Sequence, residues 1–262
     1  MEKLAVSERA ENRLDETDRE SEGRIVRNAL LEGRLNLDAD LLNALARAES
    51  EPEQSANRNR RWQDGVILNE IPRGAYVLDL GCGEGQLLGR LINEMNVHGQ
   101  AVEVDPEAAM AAMEHGVPVL NIDISEALGD FRDQSFDFVI LESTIQTLKD
   151  PMGVLSQMLR VGKRSIVSFP NFGHWRTRVD LAAKGRMPVT PSLPYQWYDT
   201  PNIRVLTISD FMDWCRRNAI VVTAAYGISE GKVGPLVEAD SLITEEALMF
   251  IHRDEERKAL AE

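Results

Sequence analysis

Hydrophobic positions change their rhythm along this chain. Ile25, Val26, Leu30 and Leu31, then Leu37, Leu41, Leu42 and Leu45, recur at helical spacing, with Asp38 a candidate N-cap before the second group. They predict a short helical hairpin, with a polar linker over Glu49–Asn59. From Arg60 onward short apolar runs alternate with amphipathic segments. Ala75–Leu80, Gln100–Asp105, Val117–Ile122, Phe136–Leu141 and Ser165–Phe169 read as strands. Gln86–Asn96, a segment opening at Pro106, and Pro151–Arg160 read as helices between them. After an irregular stretch, Ser209–Asn218 reads as a helix, and Ile220–Tyr226 and Glu246–His252 as strands. Strand and helix in alternation predict an α/β fold, Rossmann-like, with a mainly parallel sheet and helices on both faces.

The same pattern divides the chain. Residues 1–59 form a helical, partly disordered N-terminal extension, and 60–262 a ligand-binding domain with an insert at 170–206. Residues 1–60 carry 10 basic and 14 acidic residues and no aromatic one, so they bury little surface alone. The whole chain of 262 residues has a formal charge of −14, which argues against non-specific contact with nucleic acid or anionic lipid. No apolar run reaches the ~18 residues of a membrane span, and the charged start MEKLAVSERAENRLDETDRE does not resemble a signal peptide, so a cytoplasmic location is expected. Cys82 and Cys215 form no C-x-x-C pair, and the four histidines show no metal-ligand spacing; neither a disulfide framework nor a metal site is expected.

The sharpest local signal is Val77-Leu78-Asp79-Leu80-Gly81-Cys82-Gly83-Glu84-Gly85, a strand running into a glycine-rich turn before a helix. Gln86 stands where the dinucleotide fingerprint wants its third glycine, and no Gly-Lys-Ser/Thr follows. Asp79 and Glu84 place carboxylates where a pyrophosphate would need positive potential. A ligand with an ammonium, a positive centre and no phosphate suits that charge pattern. S-adenosylmethionine (SAM) has all three properties. Asp105 and Asp123 end the next two strands, where they are candidates for the ribose hydroxyls and the adenine amino group. Each of the three acids also suits a helix N-cap.

These segments resemble the class I SAM-dependent methyltransferases, and within them the MetW family of methionine-biosynthesis proteins. The resemblance spans about Arg60 to Arg253. It rests on VLDLGCGEG (Val77–Gly85), AVEVDP (Ala101–Pro106), SFDFVILESTIQTLKDP (Ser135–Pro151), IVSFPNFGHWRTR (Ile166–Arg178) and LPYQWYDTPNIR (Leu193–Arg204), the last two being the most distinctive. It implies a seven-stranded sheet whose last strand, Glu246–His252, is antiparallel. It also carries SAM contacts onto Asp79, Gly81, Gly83, Gly85, Asp105 and Asp123, and implies a homoserine O-acyltransferase as working partner.

The insert holds Trp175, Tyr195, Trp197 and Tyr198, half of the chain's Trp and Tyr, together with five prolines. A long stiffened connection of this kind suits a lid or a binding surface. Asn171, Trp175, Arg178, Tyr195, Tyr198 and Arg204 are its candidates for contact with substrate or partner, although Trp175 and Trp197 also suit packing onto the sheet. His174 is a candidate general base and Gln146 a candidate for shaping a methyl-transfer pocket; each has a plain structural alternative. Three functions fit these residues. One is a SAM-binding protein acting with the acyltransferase. The others are an active SAM-dependent small-molecule methyltransferase and a non-catalytic scaffold.

Overall fold

The computed structural model describes residues 61–229 and 231–254, apart from the side chains of residues 183, 184 and 239. The expected N-terminal extension over 1–59 lies outside the described residues. In chain order the elements are α1 (Trp62–Glu70), β1 (Tyr76–Leu80), α2 (Gln86–Met95), β2 (His98–Val102), α3 (Pro106–Glu114), β3 (Val119–Leu120), α4 (Ile124–Asp130) and β4 (Phe136–Leu141). They continue as α5 (Pro151–Val161), β5 (Gly162–Pro170), α6 (Trp175–Lys184), α7 (Ile208–Arg217), β6 (Ile220–Ser229), β7 (Lys232–Pro235) and β8 (Glu246–Arg253).

The strands form one sheet in the order β3-β2-β1-β4-β5-β8-β6-β7. Pairs from β3 through β5 are parallel, whereas β8 runs antiparallel between β5 and β6. Helices cover both faces because alternate residues of each strand point to opposite sides. Val77, Phe138 and Ile140 pack with Ile67 and Ile71 of α1 and Leu87, Leu88 and Leu91 of α2. Leu78, Leu80, Val139 and Leu141 pack instead with Leu128 of α4, Leu155 and Met158 of α5, and Phe211 of α7. Burial on both sides explains why these strands read as unbroken apolar runs.

Three local features differ from the expectation. The sheet has eight strands, the additional one being β7, which pairs with β6 as an edge hairpin through Ser229↔Lys232. Its sequence, KVGP, carries a glycine and a proline, and Gly231 at φ +74° serves the turn, so the segment reads as loop. The third strand contracts to two residues. The insert contains a ten-residue helix, α6, ended by Gly185 at φ +61°. The prolines and aromatics downstream masked an ordinary helical run, WRTRVDLAAK. Among the described residues no helix is long and apolar enough to cross a membrane.

Candidate functional site

The glycine turn leaves β1 at the carboxyl edge of the sheet, and its three glycines answer to different constraints. All have positive φ: Gly81 +74°, Gly83 +54° and Gly85 +73°. A Cβ on Gly81 would lie 2.8 Å from Thr144 Oγ1, and one on Gly85 would lie 2.7 Å from Ala112 Cβ. Those two are required by packing as well as by dihedral angle. Gly83 faces open space, with nothing within 4 Å of its would-be Cβ. A ligand can therefore lie directly against its backbone.

Glu103, immediately after β2, holds the turn in place. Its Oε2 accepts from Gly83 N–H at 2.8 Å and its Oε1 from Asp105 N–H at 2.9 Å. Asp105 itself is the N-cap of α3, accepting from Glu107 N–H at 2.9 Å. Asp123 caps α4 through Ser125 N–H at 2.8 Å, and the Ser125 hydroxyl and amide hold its carboxyl below the usual range. Both carboxylates thus take the helix-capping role that the sequence allowed, while remaining exposed along the crevice. Val104, 63% exposed, and Ile122 add apolar surface beside them.

Deeper in the crevice the acids are buried. Asp79 is 3% exposed, and burial, reinforced by Glu142, pushes its carboxyl up to about 7. Glu142, just after β4, is 6% exposed, and burial raises its pKa too, against the opposing pull of Arg61. Arg61 precedes α1 and crosses this edge, its guanidinium 2.7 Å from Glu142 Oε1 and 3.7 Å from Asp64. Trp62 and Gln63 both donate to Glu246 Oε2 at 2.8 Å, tying the start of α1 to the first residue of β8. α1 is thereby fixed as a cover over Asp79 and Glu142.

The post-β4 turn closes the far side. Ser143 adopts φ +48°, unusual for a residue with a side chain, and is held by bonds from its N–H to Ser168 Oγ and from Gln146 Nε2 to its carbonyl. Gln146 is buried, and its backbone carbonyl accepts from Ile203 N–H and Arg204 N–H, both at 2.9 Å. The turn beside the glycine loop thus also anchors the end of the insert.

The structure sorts the insert's candidates into two groups. Asn171 is buried, donating to the Ser241 and Thr244 carbonyls and accepting from Gly173 and Ile208 N–H groups, so its amide is fully occupied. Trp175 packs on Leu242, Val179 and Ile243, and Arg178 donates to the Gly173 carbonyl at 2.7 Å. His174 is buried at the N-cap of α6, and burial, with Arg176 and Arg178 nearby, lowers its pKa to about 4. Its imidazole is neutral at physiological pH and a weak base. Arg204 donates to the Lys149 carbonyl at 2.6 Å. Tyr195, Trp197 and Tyr198 point outward, Trp197 at 73% and Tyr198 at 70% exposure. Trp197 therefore does not pack onto the sheet, because Leu193 takes the buried anchor position in that stretch.

Sequence reasoning missed three residues of the crevice. β2 ends at Val102, so the acid at the strand end is Glu103 rather than Asp105. Glu142 follows an apolar run in FDFVIL-E, a signal that was legible. Arg61 had no local signal, since its partner is 81 residues away. A cavity of about 420 Å³ lined by Tyr76, His98, Gln100, Pro118 and Phe136 opens at the opposite, amino-terminal edge. It contains none of the acids described above and lies away from the glycine turn. Among the described residues no group of three His, Cys, Asp or Glu is placed to hold a metal. Cys82 and Cys215 are free and buried, and burial pushes both thiols up to about 12.

Comparison with known proteins gives this geometry its context. The family described as methionine biosynthesis protein MetW matches residues 61–251. A bifunctional methionine biosynthesis protein MetXA/MetW from Rhodopirellula baltica is 32% identical over 220 residues, covering 79% of this chain but only 35% of that relative. A SAM-dependent methyltransferase from Thermotoga maritima superposes with a TM-score of 0.54 at 19% identity, over 73% of this chain and 87% of that one. Phosphoethanolamine N-methyltransferase 2 from Haemonchus contortus, solved in complex with SAM, gives 0.53 at 15% identity, over 73% of this chain and 52% of that one.

Proposed function

We propose that this chain, which belongs to the MetW family, is a SAM-binding component of methionine biosynthesis that works with a homoserine O-acyltransferase. Two features support the ligand. The open backbone over Gly83 leaves room for a nucleoside, and buried acids lie beside a turn that no Gly-Lys-Ser/Thr follows. Among the described residues the buried Glu142 Oε2 has no hydrogen-bond partner, which fits a site built to receive a positively charged group. In this assignment Asp79, Gly81 and Gly83 line the amino-acid and ribose side, and Glu103, with Asp105 and Asp123 along the edge, faces the ribose and adenine. Bound SAM would supply an electrophilic methyl on a sulfonium.

The observation that carries the partnership is the Rhodopirellula baltica relative, a bifunctional MetXA/MetW protein of which the segment similar to this chain covers 35%. Joining two activities in one polypeptide raises their mutual effective concentration, which suits proteins that otherwise associate as separate chains. The outward aromatics Tyr195, Trp197 and Tyr198 are the surface we assign to the acyltransferase, since Tyr and Trp are favoured as interface anchors. Purified acyltransferase and this chain should co-elute, and acyltransferase turnover should change when the chain and SAM are added. Separate elution together with unchanged turnover would refute the partnership.

Turnover as a small-molecule methyltransferase is the competing reading, favoured by the intact glycine turn and its acids. The weak basicity of His174 removes the insert's one histidine as an effective general base at neutral pH. Such an enzyme would have to rely on alignment of an already nucleophilic acceptor. Release of S-adenosylhomocysteine from SAM in the presence of cell metabolites would establish it.

A further inference from the structure

The buried carboxyl of Glu142 stands out because its two oxygens have different fates. Oε1 receives the Arg61 guanidinium at 2.7 and 3.1 Å, whereas Oε2 is buried and without a hydrogen-bond partner among the described residues. Leaving a carboxylate oxygen dry and unpaired is costly unless something else fills the position. Sheet register fixes where that oxygen's side chain stands. Asp79 of β1 is level with Ile140 of β4, and Glu142 follows Ile140 by two residues. Neighbouring parallel strands at the same level present their side chains to the same face, which puts Asp79 and Glu142 on one side, beside the backbone of Gly81. Thr144 then packs against Gly81, and the left-handed Ser143 fixes the direction in which Glu142 leaves the strand.

The charges nearby do not balance. Glu142, Arg61, Asp64 and Glu103 act on Asp79, and Arg61, Asp64 and Glu246 act on Glu142. Arg90 of α2 lies 3.8 Å from Asp64. Among the described residues, five carboxyls therefore face two guanidinium groups. A SAM molecule carries one more positive charge than S-adenosylhomocysteine (SAH), and that charge resides on the sulfonium; the ammonium, carboxylate, ribose and adenine are common to both.

Resting on the SAM-binding reading above, we propose that Glu142 is the counter-charge for the sulfonium and makes this protein bind SAM in preference to SAH. The fixed turn holds the Glu142 carboxylate against the glycine loop, and Arg61 keeps one oxygen in place while the other meets the ligand's charge. The protein then distinguishes the methylated from the demethylated nucleoside, a property useful to a component that responds to supply of the methyl donor.

The test is the ratio of the dissociation constants of SAH and SAM, measured by calorimetry on the full chain. Because both are read on the same preparation, loss of folded protein cancels. Glu142→Gln keeps an acceptor for Arg61 and should weaken SAM about 30-fold while weakening SAH less than about threefold, in keeping with loss of one charge-assisted contact. Glu142→Asp should retain most of the preference. The wild-type ratio should fall as pH is lowered, because burial holds the Glu142 carboxyl above the ordinary carboxylate range and its charge is lost on protonation. Equal weakening of both ligands by Glu142→Gln, or a wild-type ratio near one, overturns the assignment of Glu142 while leaving SAM binding intact. Failure of the wild-type chain to bind either nucleoside would overturn the SAM-binding reading itself, and this proposal with it.

Discussion

The crevice at the carboxyl edge of the sheet and the strap over 187–205 handle their chemistry in opposite ways. The crevice buries charge: Asp79 and Glu142 lie almost entirely out of water beneath α1, with raised pKa values. The strap exposes aromatic surface, and its only charged side chains are Asp199 and Arg204. Buried charge destabilises a free protein unless a partner compensates it, whereas exposed aromatics have little effect until a surface covers them. In the proposed function each region serves something outside the chain, a cation in one case and an apolar face in the other. Their supports also differ. The crevice is held by sheet register and a strained turn, while the strap is pinned by the buried Leu193, its Thr190↔Leu193 bridge and the bonds to Gln146.

That contrast can be broken by substitution. The largest loss of folding stability should come from the buried joint between the two regions: Asn171→Ala removes four hydrogen bonds, to Gly173, to Ile208 of α7 and to Ser241 and Thr244 before β8, and should cost about 3 kcal/mol in urea unfolding. Gly85→Ala combines positive φ with a contact to Ala112 and should cost about 2 kcal/mol in the same measurement. Asp79→Asn should act in the other direction. A carboxyl whose folded pKa is raised from 3.8 to about 7 binds more protons folded than unfolded across that window, so stability falls as pH rises from about 4 to 7. Replacing it should make the free protein about 2 kcal/mol more stable at pH 8 and flatten that pH dependence. It should also abolish the thermal shift with SAM, worth about 2.7 kcal/mol at 100 times the dissociation constant in the wild type. Trp197→Ser with Tyr198→Ser should change stability by less than about 0.5 kcal/mol, yet weaken acyltransferase binding about 100-fold. A large stability loss there would mean that the strap is core rather than surface.

How much of this was legible before folding depends on the range of the interaction. The glycine turn, Asp79 and the strand–helix alternation are local patterns, and the structure keeps them where the sequence placed them. The edge hairpin of β7 and the helix α6 were hidden by local signals, a glycine with a proline in one and a proline-rich neighbourhood in the other. Asn171 and His174 looked like chemistry because polar residues in a long connection usually are; burial turned one into a hydrogen-bonding joint and the other into a neutral ring. The exposure of Trp197 depended on which nearby residue took the buried anchor, a choice no periodicity encodes.

By itself, then, the sequence determined the α/β alternation, the parallel core and the glycine turn with its first acid, because each depends on residues a few positions apart. Tertiary structure alone decided that Arg61 would reach Glu142 across 81 positions, that Glu103 rather than Asp105 would grip the turn, and that one oxygen of Glu142 would be left unpaired among the described residues. Those outcomes depend on strand register and on which helix covers which edge. Electrostatic energy follows distance and burial in space, and neither can be read from spacing along the chain.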